Sequence, residues 1–183
     1  MINRIKKELD KKFAVREKAL KANREIVPMC AKAIRLVQKK EFKKAEQEAN
    51  KIDKKIRKIE LILKNYPDIK DSVLGAAYQE YAELMIYLSL VRGRKLPSLK
   101  VPLKYYLTGL GDAIGELKRY VLELLAEGKK EDAEKLYNKL EDLYAEYASL
   151  AYPSSIVPGL KHKQDVARKV LNDLRETLTK NKI

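Results

Sequence analysis

The stretch Gly75-Ala-Ala-Tyr-Gln-Glu-Tyr-Ala-Glu-Leu-Met-Ile-Tyr-Leu-Ser-Leu90 is mostly apolar and reads as the middle of a long helix. Two carboxylates lie inside it, Glu80 and Glu83, and no Lys or Arg falls between Lys70 and Arg92 to neutralise them. Three residues apart, they share one helical face. A second apolar run behaves the same way. Tyr105-Tyr-Leu-Thr-Gly-Leu-Gly-Asp-Ala-Ile-Gly-Glu-Leu117 carries Asp112 and Glu116 at i, i+4, with no cation between Lys104 and Lys118. In a chain with 40 Lys and Arg residues, two acid pairs in cation-free apolar helices stand out. Carboxylates so placed must be paired, protonated or bound to a metal.

Outward from these two runs the apolar spacing stays helical almost to the ends. With only 7 Gly and 6 Pro in 183 residues, it predicts an all-α fold: a single domain over 1–183, an antiparallel bundle of about six to seven helices. The first helix is expected from about Asn3 to Gln38, with Ile5, Leu9, Phe13, Leu20, Val27, Ile34 and Val37 on its apolar face. Pro28 lies inside it and predicts a kink or break near Val27, because proline removes a hydrogen bond and crowds the preceding turn. The second helix repeats Phe42, Ala45, Ala49, Ile52, Ile56, Ile59 and Leu63 at 3-4 spacing, and Asn65-Tyr-Pro67 ends it. The third, about Ile69 to Val91, has few charges around its circumference and should be the most buried.

The fourth helix opens at Pro102 and stops at Gly128. Gly109, Gly111 and Gly115 each cost it roughly 1 kcal/mol against Ala. Gly111 and Gly115 flank Asp112, as close approach of another helix or of a ligand would require. The fifth helix, about Glu131 to Ala151, lines Leu136, Leu140, Leu143, Tyr147 and Leu150 on one face. The sixth begins near Leu160 and carries Val166, Val170, Leu174 and Leu178. One internal echo, Lys39-Lys-Glu-Phe-Lys-Lys-Ala-Glu46 against Lys129-Lys-Glu-Asp-Ala-Glu134, looks like a repeated helix start, but it has no regular period and makes no repeat array.

The formal net charge is +14, from 40 Lys and Arg against 26 Asp and Glu. Such an excess favours a polyanionic partner, nucleic acid first, with a heavily charged soluble surface as the plainer alternative. Arg92-Gly-Arg-Lys-Leu-Pro-Ser-Leu-Lys100 has the composition of a phosphate-contacting loop, and the start of the sixth helix is basic as well. Arg92, Arg94, Lys95, Lys161, Lys163 and Arg168 are therefore the candidate nucleic-acid contacts. Cys30 is the single cysteine, so no intrachain disulfide and no Cys-based zinc site can form within one chain. No apolar run reaches the roughly 18 residues of a membrane span, and the N-terminus lacks the apolar core of a signal peptide. A soluble protein of the reducing cytoplasm is expected.

The acid pairs suit hard divalent cations. Mg²⁺ prefers oxygen ligands and takes only a few carboxylates, leaving positions for water and phosphate. It makes bound water more acidic and offsets charge building on phosphoryl oxygens. Pairs at this spacing also arise by chance: Glu131 with Glu134 and Asp142 with Glu146 are examples. A ferritin-like di-iron site needs a Glu-x-x-His from two helices, and the chain has one histidine, His162. Nothing marks a partner for His162 in Ser-His-Asp chemistry.

Three segments, in this order and separation, resemble the translin family, particularly archaeal proteins similar to translin-associated factor X. They are Gln79-Glu80-Tyr81-Ala82-Glu83-Leu84, Tyr106-Leu-Thr-Gly-Leu-Gly-Asp112-Ala-Ile-Gly-Glu116-Leu-Lys-Arg119 and Pro158-Gly-Leu-Lys-His-Lys-Gln-Asp165-Val-Ala-Arg168-Lys-Val170. The resemblance implies an all-α fold of about seven helices and assembly into hollow oligomers, often octamers, that enclose RNA or single-stranded DNA. In the nuclease-competent branch, two glutamates on one helix and an aspartate on the next act with Mg²⁺ (or Mn²⁺) to cleave single-stranded RNA. Those positions match Glu80, Glu83 and Asp112 here, and Glu116 matches a further acidic position. Translin itself lacks the full acid set and mainly binds.

Four functions follow as expectations. The first is a Mg²⁺-dependent endoribonuclease acting on single-stranded or small structured RNA, with Glu80, Glu83 and Asp112 catalytic and Glu116 supporting the metal. The second is an RNA or single-stranded DNA container without turnover. The third is an all-α nucleoside-triphosphate pyrophosphatase, for which Asp112-x-x-x-Glu116 is one residue wider than that family's usual pair. The fourth is a purely structural helical scaffold.

Overall fold

The structure, a computed structural model, describes residues 1–180; the expected domain runs on to 183, and those last three residues lie outside the described part. Among the described residues there are six helices and no strand: α1 (Ile2–Gln38), α2 (Phe42–Leu63), α3 (Pro67–Val91), α4 (Leu103–Ala126), α5 (Lys130–Ala148) and α6 (Leu160–Lys180). The chain divides into two compact units, Met1–Leu84 and Met85 onward, and α3 passes from one to the other at Leu84. None of the described helices is long and apolar enough to cross a membrane.

In the first unit α1 and α2 form a helical hairpin. Its turn closes with Lys40 in the left-handed region at φ 60°, where the Glu41 N–H reaches back to the Leu36 carbonyl at 2.9 Å. That six-to-one bond is a Schellman closure, usually made by glycine. The α4–α5 turn uses the same closure with glycine in place: Gly128 sits at φ 76° and Lys129 N–H donates to the Leu124 carbonyl at 2.9 Å. The echo between Lys39–Glu46 and Lys129–Glu134 thus marks two equivalent places, where a helix restarts after such a turn. In both, the alanine of the echo, Ala45 or Ala133, is the first residue of the new helix to be fully buried.

From Ala45 on, the seam of α2 is as the spacing predicts, while Phe42 at its start is half-buried. Ala45, Ala49, Ile52, Ile56, Ile59 and Leu63 are all buried, each large one worth roughly 1.5–3 kcal/mol of apolar burial. Other expectations are corrected. No break occurs at Pro28; α1 runs through it as one helix, with the proline on the exposed side, and the six helices of the described residues fall within the expected six to seven. Ile5, Leu9 and Phe13 are not core residues: they are exposed, and α1 buries nothing before Ala19.

In the second unit α4, α5 and α6 pack on one another. Lys118 bridges α4 to Asp173 of α6 at 2.6 Å, and Arg175 of α6 donates from Nε to the Tyr137 hydroxyl of α5 at 3.0 Å. In α6 the expected Leu174 and Leu178 are buried, but the first half of the helix differs from expectation. Leu160, Gln164, Ala167, Leu171, Leu174 and Leu178 face inward, while Val166 is exposed. Pro102 is the residue before the first turn of α4, and α5 ends at Ala148, three residues short of the expected Ala151.

Candidate functional site

The first acid pair sits on the part of α3 that belongs to the first unit. Glu83 is buried, 8 % exposed, and Glu80 is half-buried one turn earlier. Asn23 of α1 holds this turn, its Oδ1 accepting from the Ala77 N–H at 2.9 Å. Cys30 of α1 is wholly buried; burial pushes its thiol well above its ordinary range, and the charges of Glu80 and Glu83 push it further. The thiol stays protonated and is no nucleophile.

Elsewhere on its circumference the same stretch of α3 is tied to α2. The Tyr78 hydroxyl donates to Glu60 at 2.7 Å, and Glu60 also takes Lys70 at 3.0 Å and Arg57 at 3.2 Å. Arg57 reaches on to Asp53 at 2.9 Å, and Tyr81 hydrogen-bonds to Asp53. Burial alone would raise the Glu60 carboxyl; the Tyr78 hydroxyl, Lys70 and Arg57 outweigh it and hold the group below its ordinary 4.5. These contacts fix the rotation of α3 and hence the direction of Glu80 and Glu83.

The second pair lies on α4 in the second unit. Asp112 Oδ1 accepts from Lys163 Nζ of α6, and both side chains are about three-quarters buried. Gly111 makes that approach possible. A Cβ there would lie 2.7 Å from Lys163 Cβ and 3.0 Å from the Tyr147 hydroxyl. Gly115, by contrast, faces open space, so the close approach expected at both glycines occurs at Gly111 alone of the two. Tyr147 is anchored in turn: its hydroxyl donates to the Leu107 carbonyl at 2.9 Å. The buried Gln164 donates from Nε2 to the Tyr147 carbonyl at 2.8 Å and to the Leu150 carbonyl at 3.0 Å. Sequence reasoning missed Gln164. Its signal was present, because Leu160, Gln164 and Ala167 share one helical face.

Near the second acid of the pair, Tyr87 of α3 is fully buried. Burial raises its phenol first, and the charges of Glu116 and Glu123 raise it further. The Tyr87 hydroxyl is a buried polar atom with no hydrogen-bond partner, a condition that a further oxygen beside Glu116 would relieve.

The six candidate nucleic-acid contacts all fall in the second unit. Arg92, Arg94 and Lys95 are exposed in the segment after α3, where Lys139 Nζ holds the Arg94 carbonyl at 2.8 Å. Lys161 and Arg168 share one acid, Asp165, each at 3.2 Å. Lys163 pairs with Asp112 and keeps about a quarter of its side chain exposed.

Among the described residues, no group of three or more His, Cys, Asp or Glu side chains is arranged to hold a metal ion. Each acid pair supplies two carboxylates. That fits Mg²⁺, which binds through one or two carboxylates and completes its shell with water and phosphate oxygens; the orphaned Tyr87 hydroxyl beside Glu116 fits the same oxygen-rich surroundings.

Six helices, with acid pairs on the third and fourth, define an all-helical protein of the translin fold. The chain belongs to the Translin family, whose model it matches over residues 78–178. It is 33% identical over 168 residues to an uncharacterized protein of Methanocaldococcus jannaschii, covering 89% of this chain and 74% of that one. Among solved structures, it superposes on AfC3PO with a TM-score of 0.91 at 30% identity, covering 99% of this chain and 96% of that one. A complex of AfC3PO with duplex RNA matches at 0.90, with the same identity and coverage. The apo form of NeC3PO matches at 0.86 and 24% identity, over 98% of this chain and 96% of that one, and speaks for the fold alone.

Proposed function

We propose that this chain binds RNA, and that it cuts single-stranded or small structured RNA in a reaction dependent on Mg²⁺ or Mn²⁺, as a hollow homo-oligomer, an octamer. One observation carries the reading. The acids Glu80, Glu83, Asp112 and Glu116 stand in the apolar helices of a chain that shares its fold, over nearly its whole length, with AfC3PO, a protein solved in complex with duplex RNA. Single-stranded DNA carries the same phosphates and falls within the same binding expectation.

The acid pair of α3 and the acid pair of α4 are each groups that would hold a cation. Bound there, a divalent cation would supply acidified water and offset negative charge on the phosphoryl oxygens. The chain's own part is to orient those carboxylates. On α3 this falls to the tyrosine and arginine network with α2, and on α4 to the anchored start of α6. The exposed cations after α3 and on α6 would contact the backbone phosphates and hold the strand.

The test is a cleavage and binding assay on labelled single-stranded and hairpin RNA, with Mg²⁺ and with chelator, comparing wild type and Asp112→Asn. The expected outcome is metal-dependent cutting that disappears in the variant while RNA binding stays within about threefold, since one carboxylate is not a phosphate contact. Undiminished cutting by the variant would remove the acid-pair model.

A second reading has its own observation. Asp112 already holds an ammonium group, Lys163, and an acid so neutralised suits a container that binds RNA without turnover. RNA bound but uncut under every metal condition would select that reading.

A further inference from the structure

We propose that Lys163 is a built-in competitor for the divalent cation at Asp112, so that the α4–α6 contact sets how much cation the acid pair needs. The inference rests on the metal reading above and deepens it.

Three features separate this lysine from the many solvated ones. Its side chain and that of Asp112 are about three-quarters buried, and the two residues lie 51 positions apart along the chain. Its stem lies against α4 at Gly111, where the missing side chain admits it: a Cβ there would sit 2.7 Å from Lys163 Cβ and 3.5 Å from its Cγ. Its neighbour Gln164 pins the first turn of α6 through two hydrogen bonds, to the Tyr147 and Leu150 carbonyls, while the Tyr147 hydroxyl is fixed to α4 at Leu107. The packing therefore directs the ammonium to Asp112 and restricts the side-chain freedom that a surface lysine keeps.

The electrostatic consequence is direct. An ammonium group and a divalent cation at one carboxylate repel each other strongly in a partly desolvated place, where Coulomb terms are several times larger than in water. The two occupants are mutually exclusive at the Asp112 oxygen that Lys163 engages. A cation binding at Asp112 then either displaces the lysine or binds the other oxygen against its repulsion, and in both cases the apparent affinity falls. Removing the charge while keeping the stem should tighten cation binding, and keeping the charge should not.

The experiment uses the full chain without RNA and Mn²⁺ as the probe. Affinities come from the electron paramagnetic resonance of free Mn²⁺, for wild type, Lys163→Met, Lys163→Arg and Asp112→Asn. We expect the Met variant to bind Mn²⁺ about threefold to tenfold more tightly than wild type, the factor that a partly buried ion pair corresponds to, and the Arg variant to match wild type. Lys163→Gln repeats the comparison should the Met variant not fold. Equal affinity in wild type and the charge-free variants, with binding lost in Asp112→Asn, would overturn the competitor and leave the metal reading standing. No Mn²⁺ binding by any of the proteins would overturn both.

Discussion

Gly111 and Gly115 are alike in sequence and opposite in setting. Both cost α4 helical stability relative to alanine, and both flank Asp112. At Gly111 a methyl group would strike the Lys163 stem at 2.7 Å, whereas at Gly115 it would meet nothing within 4 Å. Gly111→Ala should therefore destabilise the protein by about 1–3 kcal/mol through overpacking. Gly115→Ala should stabilise it by about 1 kcal/mol through helix propensity. Urea denaturation of the two variants checks both signs, and a stabilised Gly111→Ala would contradict the packing described. Sequence could announce that something approaches this helix but not which glycine admits it. Lys163 is the reason: it lies far along the chain, and no local pattern couples it to Asp112. The same limit hid the neighbourhood of Cys30, whose burial beside Glu80 and Glu83 joins two helices with no shared motif.

At the scale of the element, α2 was legible from Ala45 onward, with only Phe42 at its start half-buried. Its seam is a regular 3-4 repeat with nothing in its sequence to compete, and every expected residue from Ala45 to Leu63 is buried. In α6 the valines attracted the reading, yet the buried face runs through Gln164 and Ala167, because a polar side chain with two backbone acceptors is satisfied inside. The proline in α1 pointed to a break, but its ring lies on the exposed side of a helix that continues through it. The α2–α3 network yields a pH prediction. Glu60 is held below its ordinary 4.5, so its contribution to stability is full above that value and is lost as pH falls through the depressed one. Glu60→Gln should cost about 1–3 kcal/mol at neutral pH, since it leaves Lys70 and Arg57 with a weaker acceptor. The gap between wild type and variant should narrow as pH falls below 4.5 and through the depressed value, as urea curves at neutral and acid pH would measure; a gap independent of pH would count against the network.

For the molecule as a whole, composition pointed correctly to a helical protein, and the ordered motifs pointed to its family. How copies assemble is not written in any motif, because an interface face and a core face look alike in sequence. The N-terminal third of α1 illustrates this: Ile2, Ile5, Leu9 and Phe13 recur at helical spacing and are all exposed. An exposed apolar stripe of this kind is what subunit contacts cover. If assembly uses it, Leu9→Glu combined with Phe13→Glu should shift the protein to smaller species in sedimentation velocity, with the helical content of the remainder retained. An assembly of unchanged size in the double variant would place the contacts elsewhere.

The lone thiol offers a last consequence. Cys30 is fully buried and held protonated, within reach of the charges of Glu80 and Glu83. A thiol reagent can reach it only when that packing opens, so its labelling rate is a clock for the breathing of the wall behind the first acid pair. The molecule carries its own stopwatch there, and slower labelling with a bound nucleic acid or cation would time how far each one quiets that wall.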